Sequence, residues 1–257
     1  MRGPAAILPL EWRFQSMWTA VTKTHTGNVR TNNEDLALWD SELGVLVIAD
    51  GMGGHNAGEV ASRLAVEALY KSLQQTASGG LEAADRLREA VTQANREVFR
   101  TSKERPDCAG MGTTITAALV AAEHVTYASV GDSRLYTLRN GALQQMTRDD
   151  SLMGALIDVA GIDPAELEHH PMRHLLTSVV GRKVELDVTV EELTLADGQM
   201  LLLSTDGMHG VLPTESIAAI LRADQDLDRA AQLLITAALA ADSKDNVTVV
   251  LARYSAR

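Results

Sequence analysis

Cysteine is nearly absent from this chain, and that absence limits its covalent and metal chemistry. Cys108 is the only cysteine in 257 residues, which excludes an intramolecular disulfide and a cysteine metal site. A lone thiol is typical of a reducing compartment, so we expect a cytoplasmic protein. The seven histidines contain no pair at the H-E-x-x-H spacing of a helical zinc site. Any bound metal should therefore depend on oxygen ligands.

Positive charge and long apolar runs are also scarce. The chain has 23 Lys and Arg against 34 Asp and Glu, a net charge of -11, which argues against binding to nucleic acid. No apolar stretch approaches the length of a membrane span. There is no Pro/Gly/Ser-rich linker and no internal repeat, and 46% of the residues are hydrophobic. We therefore expect one domain with a large core, and a monomer.

The first 17 residues do not resemble the rest of the chain. Their apolar patch, AAILPL, is too short for the hydrophobic region of a signal peptide and runs directly into Glu11 and Arg13. We interpret residues 1–17 as a disordered tail or the product of an upstream start, with a signal peptide as the alternative. The domain is then expected to span residues 18–257.

Apolar periodicity predicts a chain of mixed strands and helices. Strands are predicted over residues 18–24, 36–39, 43–49, 112–120, 124–130, 134–139, 200–204 and 247–253, with a half-exposed strand over 186–190. Helices are predicted over residues 56–76, 81–102, 214–222 and 227–241. Paired helices and meandering strands are unlike the strict alternation of a parallel doubly wound fold. The pattern favours an α+β fold, in which two sheets pack face to face between two helical layers.

Four aspartates lie at the ends of the short apolar runs. Asp50, Asp132 and Asp206 come where such a run breaks into Gly or Ser, and Asp245 opens the last run. If these strand ends meet, two carboxylates about 4 Å apart would repel by roughly 4 kcal/mol at an effective dielectric constant near 20. A polyvalent cation is the common remedy for such crowding. The set therefore suggests a metal enzyme, although each motif alone is also typical of an ordinary turn.

Two glycine-rich segments each allow more than one interpretation. In GNVRTNNED, Arg30 could hold a phosphate through its planar fork or form a surface salt bridge with a nearby acid. In ADGMGGH, no Lys-Ser/Thr pair follows the glycines, so a phosphate-binding loop is disfavoured. The Asp50 carboxylate and the exposed carbonyl of Gly51 could instead bind a cation, or the segment could simply end a strand.

A polar stretch over residues 146–181 interrupts the predicted strands. It is rich in acids and histidines between short apolar patches. An insert of this length is usually a lid or another functional loop. We therefore predict a flap here, close to the GDSR turn.

Taken in chain order, seven motifs resemble those of one known family. RTNNED, DGMGGH, GTT, GDSR, TRDDSLMGALID, STDG and DNVT are similar to the motifs of the metal-dependent protein Ser/Thr phosphatases, the protein phosphatase 2C (PPM) family, and especially to its bacterial branch. The resemblance covers residues 18–253. It implies a four-layer α-β-β-α sandwich of two mainly antiparallel sheets flanked by helix pairs, with a dimetal cleft at one edge. It also implies that a metal-bridging hydroxide hydrolyses phosphoserine and phosphothreonine in proteins, opposing a bacterial Ser/Thr kinase.

The resemblance assigns metal-binding roles residue by residue. It implies that Asp50 bridges two Mn²⁺ or Mg²⁺ ions and that the carbonyl of Gly51 binds the second ion. Asp206 and Asp245 would bind the first ion.

Further roles follow from the same resemblance. Glu34 would hold metal-bound water with Asp35 in support, and Arg30 would hold the substrate phosphate. Asp132 would bind a third ion together with Asp206. The implied partners are phosphorylated proteins, including a Ser/Thr kinase and its substrates.

Three positions depart from patterns seen within the family. Met52 stands where animal members carry a histidine thought to protonate the leaving group, although bacterial members share the methionine; we expect a water to supply that proton. Ser178 replaces an arginine that is common in its segment. His174 replaces a small polar residue, so it could give the third site a preference for Mn²⁺. The alternative is a surface histidine on a mobile loop.

Other functions remain open at this point. A pseudo-enzyme of the same fold could bind phosphoproteins without turnover, and a regulatory member of the family is a further alternative. The presence of every implied metal-binding acid favours an active phosphatase.

Overall fold

The computed structural model of this chain describes residues 17–54, 57–160, 162, 170, 172 and 175–256. The predicted N-terminal tail lies outside these residues except for Met17, and so does His174.

The strands form two sheets, and all the pairings between described strands are antiparallel. In spatial order the first sheet contains β1 (Trp18–His25), β11 (Val247–Tyr254), β10 (Met200–Ser204), β7 (Arg134–Arg139) and β8 (Ala142–Gln145). The second contains β2 (Asp35–Asp40), β3 (Val45–Met52), β5 (Ile115–Ala121), β6 (His124–Val130) and β9 (Val190–Thr194), while the short β4 (Gly112–Thr113) pairs with β3.

Helices lie on the outer sides of both sheets. The helices α1 (Ala57–Thr76) and α2 (Ala83–Glu104) cover the second sheet. Further along the chain follow α3 (Leu152–Ala160) and α4 (Asp206–His209), and then α5 (Thr214–Ala223) and α6 (Leu227–Ala240), which cover the first sheet. Pro106–Cys108 forms a short 3₁₀ helix. No described helix combines the length and the apolarity that a membrane span requires.

Three apolar cores separate four layers and confirm the predicted sandwich. One core lies between the second sheet and α1 and α2, one lies between the two sheets, and one lies between the first sheet and α5 and α6. On β3, Val45, Val47 and Ala49 belong to the helix-facing core, whereas Leu46 and Ile48 belong to the core between the sheets. Because successive side chains of a strand point to opposite faces, a strand covered on both sides must be apolar throughout.

The antiparallel topology brings eight strand ends to one end of the sandwich. In the second sheet these are the starts of β2 and β5 and the ends of β3 and β6. In the first sheet they are the ends of β1 and β10 and the starts of β7 and β11. The connections from β1 to β2 and from β6 to β7 both cross between the sheets at this end. The acid-bearing motifs therefore meet because of the strand order.

One predicted strand is wrong. Hydrogen-bonded pairing with β6 begins at Val190, opposite Ala128, and continues to Thr194, whereas residues 186–189 are irregular. Leu186 and Val188 alternate with polar residues because both pack against the core beneath α2. The alternation thus reflects burial of an irregular segment, without a strand partner.

Other boundaries also differ from the sequence prediction. The predicted strand over 112–120 is divided at Thr114 into β4 and β5. The structure adds β8, and it adds α3 within the predicted insert. It also shows a short helix, α4, that begins at Asp206 where a simple turn was expected.

Candidate active site

A cleft of about 630 Å³ opens at the end of the sandwich where the eight strand ends meet. Five of the predicted acids line it together with the predicted cation and glycine: Glu34, Asp50, Asp132, Asp206, Asp245, Arg30 and Gly51. Residues 175–179 of the predicted insert also line this cleft. The structure thus brings the predicted set together around one space and places the end of the insert beside it.

Asp50 lies on the floor of the cleft, at the end of β3. Its backbone is held by Thr114, whose hydroxyl accepts a hydrogen bond from the Asp50 N–H at 2.9 Å and whose N–H donates to the Asp50 carbonyl at 2.9 Å. Burial, followed by the charges of Asp35 and Asp206, raises the pKa of Asp50 well above its usual range. The fold therefore holds this carboxylate where its charge is costly unless a cation compensates it.

Asp35 lies directly opposite Asp50 in the register of β2 and β3 but is buried behind the cleft wall. Its Oδ2 accepts a 2.9 Å hydrogen bond from the hydroxyl of Thr205, which comes from the other sheet. Its Oδ1 is buried and has no hydrogen-bond partner among the described residues. Burial, and then the nearby Asp206 and Asp245, raises the pKa of Asp35 to about 7.

Asn246 ties the loop before β2 to the start of β11. Its side-chain amide donates to the carbonyls of Thr26 at 2.8 Å and Asn32 at 2.9 Å, and its Oδ1 accepts from the N–H of Glu34 at 2.8 Å. A Cβ on Gly207 would overlap the carbonyl oxygen of Asn246. Asn246 therefore holds the Glu34 loop next to the Asp245 segment. Gly207 lets the Asp206 segment pack closely against Asn246.

Two glycines make room for the Glu34 carboxylate at the start of α1. A Cβ on Gly58 would lie 2.5 Å from Cδ of Glu34, and a Cβ on Gly51 would overlap the carbonyl of Gly58. Burial raises the pKa of Glu34, and Asp245 raises it further, whereas Arg30 and the backbone of Gly58 oppose the rise. The first turn of a helix also favours a negative charge.

Arg30 points into the cleft and pairs with one of the predicted metal ligands. Its Nη2 lies 2.6 Å from Oδ2 of Asp245. Burial lowers the pKa of this guanidinium, but Asp245 outweighs that effect, so the pKa is raised overall. The salt bridge considered from the sequence is present, and the side chain also lines the space where a phosphate would bind.

Asp132 lies in the turn that crosses from β6 to β7. Arg134 holds the base of the insert against this turn, because its Nε and Nη2 donate to Asp149 at 2.9 and 2.6 Å. Asp150 adds two bonds to Gly131, one from its own N–H at 2.8 Å and one to its Oδ2 at 3.1 Å. Burial, and then Asp206 and Asp149, raises the pKa of Asp132 to about 7. These hydrogen bonds therefore join the Asp132 turn to the start of the insert.

As the side chains lie, no three His, Cys, Asp or Glu side chains in the described part of the chain surround one point closely enough to hold an ion alone. For three of these acids to bind the same ion, their side chains would therefore have to move closer together.

Comparison with known proteins identifies the family. A family model described as Protein phosphatase 2C matches residues 23–241. The chain belongs to the protein phosphatase 2C family. The resemblance inferred from the seven motifs is thereby confirmed.

The relatives and solved structures that resemble this protein phosphatase 2C chain include several serine/threonine phosphatases. It is 35% identical over 236 residues to the serine/threonine phosphatase stp of Listeria monocytogenes, covering 89% of this chain and 93% of that protein. The crystal structure of the Mycobacterium tuberculosis serine/threonine phosphatase PstP/Ppp matches with a TM-score of 0.86 and 35% identity, over 93% of this chain and all of that one. A structure of the PstP catalytic domain with two manganese ions matches with a TM-score of 0.84 and 34% identity, over 93% of this chain and 99% of that one.

Sequence reasoning missed several residues that shape this protein phosphatase 2C site. Thr205 and Asn246 stand next to predicted ligands, but their partners lie more than 150 positions away in the chain. Gly58 is needed because the Glu34 carboxylate packs where a Cβ would lie, and this contact is visible only in the folded structure. Arg182 and Lys183 also line the cleft, and no recognised motif contains them. Of the family departures, Met52 and Ser178 line the cleft as well.

Proposed function

We propose that this chain hydrolyses phosphoserine and phosphothreonine in proteins with the help of bound Mn²⁺ or Mg²⁺. The observation that carries the proposal is the convergence of acids from both sheets on one cleft that also contains Arg30. Membership of the protein phosphatase 2C family and the named Ser/Thr phosphatases among its relatives support the same activity.

The donor set suits a hard divalent cation. All the candidate ligands are oxygens, which Mg²⁺ and Mn²⁺ prefer. Asp50 would bridge two ions, the carbonyl of Gly51 would bind the second, and Asp206 and Asp245 would bind the first. The raised pKa of Asp50 and the unsatisfied Oδ1 of Asp35 are features that added positive charge would relieve.

Glu34 would act through water, supported by Asp35, and Asp132 with Asp206 would bind a third ion. In this arrangement the first ion would have three carboxylates, those of Asp50, Asp206 and Asp245, and the other ions fewer, with water completing the coordination. Because no three acids of the described residues surround one point as the side chains lie, these three side chains would have to turn toward the ion when it binds. The manganese-bound PstP catalytic domain supports a two-ion site in this chain.

Bound divalent ions would lower the pKa of water and supply charge that balances the transferring phosphoryl group. The chain's own residues would position the reactants. The planar fork of Arg30 can hold two phosphate oxygens, and its bond to Asp245 orients it. Glu34 would accept a hydrogen bond from the attacking water. Met52 lines the cleft but carries no titratable proton, and we expect a water to protonate the leaving oxygen.

We further propose that the substrates are phosphorylated proteins, among them a Ser/Thr kinase and that kinase's targets, and that the protein acts as a cytoplasmic monomer. The relatives named above are bacterial Ser/Thr phosphatases, which supports phosphorylated proteins as the substrates.

The test is phosphate release from a phosphothreonine peptide with and without Mn²⁺. We expect turnover with Mn²⁺, none with excess EDTA, and a loss of at least 100-fold in Asp50→Asn, since one or more oxyanion-stabilising charges would be misplaced. Asp85→Asn is the matched control, because Asp85 is exposed on α2 outside the cleft. Full activity in EDTA would refute the metal assignment, and peptide binding without turnover would favour the pseudo-enzyme.

A further inference from the structure

Arg182 and Lys183 place two positive charges on the wall of the cleft. Both residues are exposed, and both line the same space as the candidate acids. Within the described residues neither side chain has an ion-pair partner, in contrast to Arg30, which pairs with Asp245. The pair has no role in the proposed metal site or in the chemistry assigned to Arg30.

The turn that carries these cations is firmly built. Asn95 of α2 is 1% exposed. Its Oδ1 accepts from the N–H of Gly181 at 2.7 Å, and its amide donates to the carbonyls of Lys183 at 3.0 Å and Val184 at 3.2 Å. Gly181 has φ +88°, and a Cβ there would overlap Val98. A buried amide that satisfies three backbone groups fixes the backbone of the turn, so both cations extend from a defined place on the cleft wall.

The turn also lies close to the predicted metal site. Val180 pairs with Thr113 of β4 through bonds of 3.0 and 3.1 Å, and Thr113 in turn pairs with Gly51. The Arg182 side chain lies over β4, where a Cβ on Gly112 would be 3.3 Å from its Nε. Arg182 is thus separated from the Asp50–Gly51 segment by a single strand.

Because Arg182 and Lys183 have no ion-pair partner among the described residues, both can contact a negative group that enters the cleft from outside the chain. In the proposed function, Arg30 already serves the phosphate under attack. A second negative group on the same substrate would meet Arg182 and Lys183, because a peptide lying in the cleft extends along its wall. We propose, resting on that function, that Arg182 and Lys183 form a subsite for negative charge within a few residues of the phosphorylated residue. The charge can come from Asp and Glu or from a second phosphate.

The experiment compares phosphothreonine peptides that differ only in their flanks. One has neutral flanks, one carries Glu on either side, and one carries a non-hydrolysable phosphonate analogue of phosphoserine nearby. We expect the wild-type protein to favour the charged peptides by roughly fivefold in kcat/KM, mostly through KM, because exposed ion pairs are individually weak. The preference should shrink as salt is added. The Glu and phosphonate peptides show which source of charge is preferred.

The variants test whether these two residues cause the preference. In Arg182→Ala/Lys183→Ala the ratio of charged to neutral peptide should fall to about one, and in Arg182→Glu/Lys183→Glu it should fall below one. Using the ratio cancels any general loss of activity. The control, Lys71→Ala/Arg139→Ala, removes the same charge from exposed positions outside the cleft and should keep the wild-type ratio.

Two results would overturn the inference: no preference in the wild type, or a preference that persists in the Arg182/Lys183 variants. Neither result affects the proposed function, which would instead be contradicted if no peptide were hydrolysed with Mn²⁺ or if activity persisted in EDTA. If no peptide is hydrolysed, fluorescence anisotropy can measure the dissociation constants of the same peptides. The ratio of affinities for charged and neutral peptides then tests the subsite in the wild type and the variants.

Discussion

Replacing Asp132 by Asn should stabilise the protein when divalent metal is chelated, by an amount that depends on pH. Burial, and then Asp206 and Asp149, raises the pKa of Asp132 from 3.8 to about 7. An acid with a higher pKa in the folded state destabilises the fold once the pH exceeds its unfolded pKa. Asparagine has nearly the same shape and stays neutral, so it removes that penalty.

The size of the effect follows from the two pKa values. A rise of about three pH units, at ~1.4 kcal/mol each, corresponds to ~4 kcal/mol. Because Asp132 lies at the wall of an open cleft, water screens part of its charge, and we expect ~2 to 3 kcal/mol near pH 8. Below about pH 4 the carboxyl group is protonated in both states, so the gain vanishes. It grows between about pH 4 and 7 and is constant above that range.

The assay is urea unfolding in excess EDTA, followed by tryptophan fluorescence, at pH values near 5 and 8. The Asn variant should gain ~1 kcal/mol in unfolding free energy near pH 5 and ~2 to 3 kcal/mol near pH 8. Asp85→Asn, which changes an exposed acid on α2, should show no such pH dependence. Saturating Mn²⁺ should reduce the advantage, because the wild-type carboxylate then faces a cation. An equal gain at both pH values, or a loss near pH 8, would refute the reasoning.

Three further changes test the architecture of the cleft. Arg30→Ala should raise KM for phosphopeptides by roughly 10-fold or more, with poor rescue by Lys, since a charge-assisted bidentate contact is lost; an unchanged KM would leave Arg30 as a structural salt bridge. Asn246→Ala should lower the unfolding free energy by ~2 to 4 kcal/mol and reduce turnover, because three hydrogen bonds that join the Glu34 loop to β11 disappear; a loss below 1 kcal/mol in chemical denaturation would contradict this. Gly207→Ala should cost ~1 to 3 kcal/mol and impair metal binding measured by calorimetry, because its Cβ would overlap the Asn246 carbonyl; wild-type metal affinity would argue against close packing there.

The sequence was sufficient to predict elements whose side chains are buried in a regular pattern. The face of α2 formed by Leu87, Val91, Ala94 and Val98 is completely buried, as its spacing predicts. The segment 186–190 failed because alternating burial does not require a strand partner, and here Leu186 and Val188 pack beneath α2 without pairing.

The site shows the same division between local and long-range information. Acids at strand ends are visible in the sequence, because a strand that breaks into Asp-Gly is a local pattern. The hydrogen bond from Thr205 to Asp35 joins two sheets, and no local pattern could reveal it. The asparagines that hold the loops, Asn95 and Asn246, are likewise ordinary polar residues until their distant partners are placed.

The position of β11 has a consequence for how this protein is made. β11 is the last strand of the described residues, yet it lies inside the first sheet, between β1 and β10. A growing chain that has just emerged as far as Asp206 already contains Arg30 and Asp50, but it lacks Asp245 and the strand that joins β1 to β10. Pairing between strands that are more than 200 residues apart forms late. Until β11 and Asp245 have left the ribosome, the polypeptide therefore carries most of the site's acids without the strand that joins the two halves of the first sheet.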